Sequence, residues 1–252
     1  MAAARYPALF DPIAPDGAGN ALYRSVERSL LDSIEAGIHA PGSTLPSEAA
    51  LAAAFGVSVG TLRKAVDALV AQGLLVRRQG RGTFVATHTA DRSLGRYFRL
   101  ERRDGQRDPP RVELLALARA PADAQAAAAL GLDPGAPVLQ IEQCLRLQDG
   151  LVACERLVLP AALFKGMTDK RLREHGGDLY AWYQAEFGVT VVRAFERASA
   201  ALADRPTRSI LGLPAGAAVL EVRRRALTFG DRPVEFRLSF INTARHDYVS
   251  AL

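Results

Sequence analysis

Residues 45–85 read LPSEAALAAAFGVSVGTLRKAVDALVAQGLLVRRQGRGTFV, and this stretch decides the fold of the first part of the chain. Pro46 stops any preceding helix, Ser47 is placed to cap the next one, and Glu48 sits in its first turn, where a carboxylate complements the positive helix end. Ala50, Leu51, Ala54 and Phe55 recur at helical spacing and predict a buried face. Gly56 ends that helix, because glycine takes a left-handed backbone without steric cost. Val57 is expected to plug the turn. Ser58 caps a second helix running to about Gln72, where Gly73 ends it. Helix, tight turn, helix and basic hairpin, in that order, describe a winged helix-turn-helix, a shape that sets one helix in the DNA major groove.

On the second helix Leu62, Ala65, Val66, Leu69 and Val70 face inward, and Gly60, Lys64, Asp67 and Ala71 face away. Thr61 and Arg63 lie on its flanks near the amino end. A recognition helix reads DNA with its first turns, so Ser58, Gly60, Thr61, Arg63 and Lys64 are the candidate contacts, with Ser47 at the head of the preceding helix. Leu74 to Val76 and Thr83 to Val85 read as strands joined by a loop from Arg77 to Gly82. Arginines and glycines at a hairpin tip suit close approach to phosphates and the minor groove, which adds Arg78, Gln79, Gly80 and Arg81. Taken alone, the helix face reads equally well as plain solvated surface. Charge favours DNA: five basic residues stand against Asp67 alone between 56 and 88, whereas the first 55 residues hold three against six acids.

Gly56-Val57-Ser58-Val59-Gly60 also satisfies the G-x-S-x-G expression of serine hydrolases. That chemistry needs a strand before the serine, and here a helix precedes it. His39, His88, His175 and His246 form no metal-ligand spacing, and no glycine-rich phosphate loop follows a strand. No catalytic residue, cofactor or metal is therefore expected.

With 252 residues and 49% hydrophobic content the chain has room for two ordinary domains. The net charge of +5 is compatible with DNA binding without proving it. Residues 1–19 are rich in Ala, Pro and Gly and read as a loose arm, not a secretory signal. Residues 20–87 form the winged helix-turn-helix, 88–96 a linker and 97–252 a second domain, with Tyr97 to Arg102 as an early strand. No apolar run reaches the roughly 18 residues of a membrane span, and a cytoplasmic protein without membrane contact is expected.

The second domain carries an internal repeat. Ala122-Asp123 recurs as Ala203-Asp204, Leu130-Gly131-Leu132 as Leu211-Gly212-Leu213, and Gly135-Ala136-Pro137-Val138-Leu139 as Gly216-Ala217-Ala218-Val219-Leu220, always 81 residues on. Each copy reads as short helix, turn, long strand and hairpin, and the repeated residues are also what turns and cores require. Two copies predict a pseudo-symmetric antiparallel sheet around one cavity, with Asp178 to Phe187 as a covering helix. The fold class is α+β, with helices on one side of the sheet. The two cysteines flank the Asp149-Gly150 turn; with that turn central, Cys144 faces Glu155, and Cys154 points to the other side. A disulfide is then geometrically poor, and two reduced thiols are expected.

Residues 22–85 resemble the DNA-binding domain of the GntR family of bacterial transcription regulators. The resemblance rests on Ala40-Pro41-Gly42, Leu45-Pro46-Ser47-Glu48, Thr61-Leu62-Arg63-Lys64-Ala65 and Arg78-Gln79-Gly80-Arg81-Gly82-Thr83-Phe84-Val85, after a first helix from Leu22 to Ile38. Ala49 and Val59 stand where relatives often carry basic and arginine side chains that read bases. The second half resembles the UTRA ligand-sensing domain of the HutC subfamily, which is similar in fold to chorismate lyase. The carrying residues are Leu130-Gly131-Leu132, Arg146 before Asp149-Gly150, Glu155, Leu179-Tyr180 and Arg232-Pro233-Val234-Glu235. The resemblance implies a small effector held by Arg146, Glu155, Tyr180 and Glu235. The plainer readings are an Arg146–Glu155 cross-strand ion pair, a core Tyr180 and a surface Glu235. Cys144 replaces a frequent arginine, and Asp178 stands where sensors of phosphorylated sugars often have a hydroxyl. A carboxylate there would repel phosphate, so the expected effector is no sugar phosphate and carries an amine. The whole reads as a homodimeric repressor on a palindromic operator in double-stranded DNA, controlled by its effector. An enzyme with a lyase-like pocket and an architectural DNA binder are the alternatives. The first lacks any motif for a reaction, and the second has no need of a pocket domain.

Overall fold

The computed structural model describes residues 19–87, 99–103, 110–148, 150–175 and 178–249, in two compact units that divide between Thr87 and His88. The expected arm (but for residue 19), linker, Tyr97 and Asp149 lie outside the described residues.

The first unit consists of α1 (Gly19–Glu35), α2 (Glu48–Phe55), α3 (Val59–Ala71), β1 (Leu75–Arg78) and β2 (Gly82–Val85). Its core joins Val26, Leu30 and Ile34 of α1 to Leu51 and Phe55 of α2 and to Leu62, Ala65, Val66 and Leu69 of α3. Ala52 is buried and Ala50 exposed, so the buried side of α2 is turned one residue from the expected face. Helix α1 ends three residues earlier than the sequence predicts. Gly37 takes φ 76°, and the amides of Ile38 and His39 donate back to the carbonyl of Ser33, closing the helix end. Strand β1 continues through Arg77 and Arg78, and Arg78 pairs with Gly82. The hairpin tip is thus only Gln79, Gly80 and Arg81, with Gly80 at φ 69°.

The second unit is built on a six-stranded antiparallel sheet. Its strands are β4 (Arg111–Pro121), β5 (Pro137–Leu147), β6 (Gly150–Pro160), β7 (Arg193–Leu202), β8 (Ala218–Leu227) and β9 (Pro233–Ile241), in spatial order β4-β5-β6-β9-β8-β7. A separate ribbon pairs β3 (Leu100–Arg102) with β10 (His246–Tyr248). Among the described residues the unit also has four α-helices, α4 (Ala124–Leu130), α5 (Asp169–His175), α6 (Leu179–Phe187) and α7 (Arg205–Leu211), and a short 3-10 turn at Phe229–Asp231. The sequence repeat becomes β4-α4-β5-β6 and β7-α7-β8-β9, which meet where β6 pairs with β9. Its repeated residues do matching jobs. Asp123 accepts from the Ala126 amide at 2.7 Å, and Asp204 from the Thr207 amide at 2.8 Å. Gly131 and Gly212 end α4 and α7 with identical left-handed angles, φ 65° and ψ 35°.

The antiparallel sheet with helices is as expected, but the helices lie on both faces. Leu139, Ile141, Leu157 and Leu159 pack with Leu172 of α5 and with Tyr180 and Tyr183 of α6. Val138 and Val158, one residue away and therefore on the opposite face, pack with Ala126, Ala127 and Leu130 of α4. Consecutive apolar residues such as Val158-Leu159 leave both faces needing cover.

The cysteine register also differs. Leu147 pairs with Gly150, but a bulge after Arg146–Leu151 leaves Val152 unpaired, so Leu145 meets Ala153 and Cys144 meets Cys154. The two Sγ atoms lie 3.6 Å apart as free thiols. A bulge cannot be read from turn position alone, and one extra residue changes every later pair.

Left-handed backbone costs a Cβ-bearing residue about 1–2 kcal/mol. Gly131→Ala and Gly212→Ala should each lower the stability of the second unit by about that amount, read from urea unfolding. Equal values would show the two repeats to be equivalent in energy, and no loss at either position would contradict the capping role.

Candidate nucleic-acid face and ligand site

The bend between α2 and α3 measures 110°, which brings the head of α2 beside the flank of α3. Both candidate serines are occupied locally. Ser47 Oγ accepts from the Ala50 amide at 3.2 Å, and Ser58 Oγ accepts from the Thr61 amide at 3.1 Å while lying 2.9 Å from Thr61 Oγ1. Gly60, Arg63 and Lys64 are exposed on the first turns of α3. Arg63 Nε sits 2.9 Å from Glu48 Oε2, and Arg77 reaches the other Glu48 oxygen at 2.9 Å while pairing with Asp67. Lys64 Nζ lies 4.4 Å from the centre of the Tyr23 ring, and the Arg78 guanidinium 4.8 Å from that of Phe84. Gln79, Gly80 and Arg81 are exposed at the tip. The acidic clamp of Glu48 on two arginines was missed in the sequence, where Glu48 is separated from Arg63 by 15 residues and reads only as a helix-end charge. Exposed pairs of this kind are worth about 0.2–1 kcal/mol, so an incoming phosphate can replace Glu48 at small cost.

In the second unit one face of the sheet carries a buried polar band between two apolar clusters. Gln143 Nε2 donates to Glu155 Oε2 at 2.7 Å, and Ser239 Oγ donates to Glu155 Oε1 at 2.8 Å. Arg237 bridges two carboxylates, with Nη1 3.3 Å from Glu155 and Nε 3.0 Å from Glu235. Glu235 is 0% exposed and also accepts from Tyr180 at 2.9 Å and from Tyr183 at 3.0 Å. Farther along, Glu196 binds Arg224 at 2.6 Å, Arg99 at 2.8 Å and the hydroxyl of Tyr248. Burial alone would raise the Glu155 carboxyl. The Arg237 charge, the Gln143 and Ser239 hydrogen bonds and Arg224 together outweigh it and hold Glu155 below the usual carboxylate range. Burial and the neighbouring Glu235 push both Tyr180 and Tyr183 upward, so each stays a neutral donor.

A cavity of about 250 Å³ opens beside this band, lined by Val112, Leu114, Gln143, Leu172, Arg173, His175 and Leu179. Of the candidate ligand residues, Glu155, Tyr180 and Glu235 are brought together. Asp178 caps α6, its Oδ1 accepting from the Tyr180 amide at 3.0 Å, while its Oδ2 is buried with no hydrogen-bond partner among the described residues. Arg146 stands apart. It is paired with Glu113, and strand alternation puts it on the face of Cys144, opposite to Gln143. The alternative reading, an Arg146–Glu155 ion pair, is not formed among the described residues, because Gln143, not Arg146, lies across from Glu155. Sequence reasoning missed Gln143, Tyr183, Arg224, Arg237 and Ser239, although the alternation Glu235-x-Arg237-x-Ser239 on one strand was a readable signal. On the other face burial first, and the Cys144 thiol second, push Cys154 up to about 12; burial raises Cys144 as well. Both thiols are therefore protonated at neutral pH.

Comparison with known proteins bears on both sites. Residues 22–85 match the description "Bacterial regulatory proteins, gntR family", and residues 105–247 match the UTRA domain. The HTH-type transcriptional repressor PhnF of Mycolicibacterium smegmatis is 29% identical over 231 residues, which cover 92% of this chain and 93% of PhnF. The probable fructoselysine utilization operon transcriptional repressor of Escherichia coli is 42% identical over 73 residues, 29% of this chain and 30% of that one. Among solved structures, the ligand-binding domain of a GntR-family regulator from Bordetella bronchiseptica aligns with TM-score 0.59 at 32% identity, covering 62% of this chain and 98% of that one. The crystal structure of PhnF aligns with TM-score 0.52 at 27% identity, covering 92% and 98%.

Removing one partner from a buried ionic network strands the other, a loss of about 3–5 kcal/mol. Arg237→Met leaves Glu155 and Glu235 without their shared cation, and urea unfolding should register a loss of that size. A variant as stable as the parent would show that the band contributes nothing to holding β6 to β9.

Proposed function

This chain belongs to the GntR family of bacterial regulatory proteins and carries a UTRA domain, and on that premise we propose that it is a cytoplasmic, homodimeric transcriptional repressor whose operator affinity is set by a small effector. The observation that carries the reading is a capped α3 whose exposed first turns hold Arg63 and Lys64, together with a three-residue wing tip ending in Arg81. We read residues 20–87 as the DNA-binding domain, 88–96 as the linker, 97–252 as the effector and dimerisation domain, and 1–19 as an arm.

On DNA, Arg63 and Thr61 reach base edges, and Arg63 exchanges Glu48 for the nucleic acid. Lys64, Gly60 and the caps Ser47 and Ser58 approach phosphates with the helix ends, and Arg78, Gln79, Gly80 and Arg81 follow the backbone into the minor groove. A twofold dimer places one α3 in each half-site, so the operator is palindromic.

We place the effector in the cavity at Gln143, with Glu155, Tyr180 and Glu235 as the buried band that holds Gln143 from behind, Asp178 next to the wall residue Leu179, and Arg146 outside. Arg173, the one arginine lining the cavity among the described residues, is already bound to Asp169 and to the Leu114 and Leu115 carbonyls. Asp178, next to the wall residue Leu179, keeps one buried carboxylate oxygen without a hydrogen-bond partner among the described residues. Both features favour an amine or hydroxyl donor over a phosphate. The relatives named above are regulators, which speaks against the enzyme alternative.

A palindrome selected from random duplexes provides the test. Arg63→Ala should cost about 1–3 kcal/mol on that site and relax its specificity, while Arg81→Ala should weaken all sequences alike and reduce the salt slope by about one. Fluorescence anisotropy at several salt concentrations reads both, and unchanged affinity in the two variants would remove α3 and the wing as the DNA face. A thermal-shift screen of amines, polyols and sugar phosphates identifies the effector class, because a ligand of the native state raises the melting temperature.

A further inference from the structure

The sequence holds two cysteines, and the fold sets them against each other. Cys144 on β5 and Cys154 on β6 are directly opposed across the ladder, their Sγ atoms 3.6 Å apart and both thiols free. The bulge at Val152 makes this so. Without it, the Leu147–Gly150 pairing would carry on to set Cys144 against Ala153, leaving Cys154 on the opposite side of the sheet. A bulge gives up a ladder pairing and commonly serves to re-aim a side chain beside a functional site. Directly opposed antiparallel residues hold their Cα atoms about 4.5–5.5 Å apart, inside the about 4.4–6.8 Å that a disulfide spans. The backbone is thus already placed for a bond, and only the sulfurs must close on each other. Access is unequal, with Cys144 fully buried and Cys154 partly exposed.

We propose that Cys144 and Cys154 form a site of reversible oxidation, at which a peroxide closes the two thiols into a disulfide across β5 and β6 and a thiol reductant reopens it. Cys154, the accessible partner, reacts first. Its sulfur, as thiolate, attacks one peroxide oxygen, the O–O bond breaks, and the hydroxide released takes up the proton shed by the thiol and leaves as water. The Cys144 sulfur then attacks the sulfenic sulfur, the S–O bond breaks, and the hydroxyl departs with the Cys144 proton as a second water. Two electrons pass from the pair to the peroxide. With its partner in contact, the sulfenic acid is captured before a second peroxide reaches it. Both thiols are protonated at neutral pH, so the pair reacts slowly and closes only under sustained oxidant. On the cytoplasmic reading above, such a bond is transient and marks a redox response rather than a structural staple. Its place in the ladder ties it to the ligand site, because Gln143 and Glu155 form the next rung, on the cavity side of the sheet.

The full chain, reduced, freed of reductant and exposed to hydrogen peroxide in native buffer, tests this by thiol titration and intact mass. The parent should lose both titratable thiols together with about 2 Da, the mass of two hydrogens. It should run as a single chain on a non-reducing gel and regain both thiols with dithiothreitol. Cys144→Ser should instead gain oxygen on Cys154, because no second sulfur captures the sulfenic acid. Cys154→Ser, changed at the more exposed position, should keep its buried Cys144 thiol through the same treatment. A parent that gains oxygen as Cys144→Ser does, cross-links between chains, or keeps both thiols would overturn the proposal. A Cys154→Ser chain oxidised as fast as the parent would overturn the order of attack. None of these outcomes touches the DNA face or the effector cavity, whose own tests stand apart.

Discussion

One buried cation ties the second unit together. Arg237 lies between Glu155 and Glu235, on strands from opposite halves of the repeat, and Glu235 in turn holds the two tyrosine hydroxyls of α6. Moving these charges out of water is expensive, and apolar side chains of equal volume would serve stability as well or better. What the network supplies is a fixed geometry. Apolar packing tolerates small shifts of one strand against its neighbour, but a guanidinium shared by two carboxylates does not. The register of β6 against β9 and the seat of α6 are therefore set by a few directional bonds at the centre of the sheet.

The same network gives a ligand something to act upon. Gln143 touches both the cavity and Glu155, so a molecule that draws its amide away removes one of the bonds holding Glu155 ionised. A ligand shifts an equilibrium only by its differential affinity for two states, commonly about 1–3 kcal/mol. Weakening one charge-assisted hydrogen bond is worth about 1.5–3 kcal/mol, which is of the right size. The first unit shows the opposite economy. Its arginines are held by exposed, weak pairs with Glu48 and Asp67, which orient the side chains without committing them.

Much of this was legible in the sequence, for different reasons in the two units. Caps and breakers act locally, so Ser47, Gly56 and Ser58 could be read with their roles from spacing alone, whereas Asp178, read as a ligand residue, turns out to cap α6. The repeat was legible because a turn glycine and a capping aspartate recur at fixed distance. In the first unit the failures, apart from the Glu48 clamp, were shifts of a few residues at element ends and on one helix face; in the second they were non-local. Whether Arg146 or Gln143 faces Glu155 depends on one unpaired residue, Val152, and nothing in the chemistry of valine announces a bulge. Helices on both faces followed from β5 and β6 being apolar at adjacent positions, a signal present but outweighed by the expectation of a half-solvated sheet. The Glu48 clamp exists only once the helices cross.

Symmetry and its breaking connect these observations. Two halves of the domain share strands, caps and helix ends, so a structure built from the repeat alone would have two equivalent cavities and two equivalent edges. The segment between the halves, α5 and α6, removes that equivalence. By crossing one half of one face, it roofs the cavity at Gln143, supplies Tyr180 and Tyr183 to Glu235, and sends Arg173 over the backbone of β4. Cavity and closed edge are thus products of one insertion, and β7, which it does not reach, has no strand on its outer side among the described residues. A change in the seat of α5 is felt at the cavity wall and at the β4 edge together, because Arg173 and His175 lie on the same short helix.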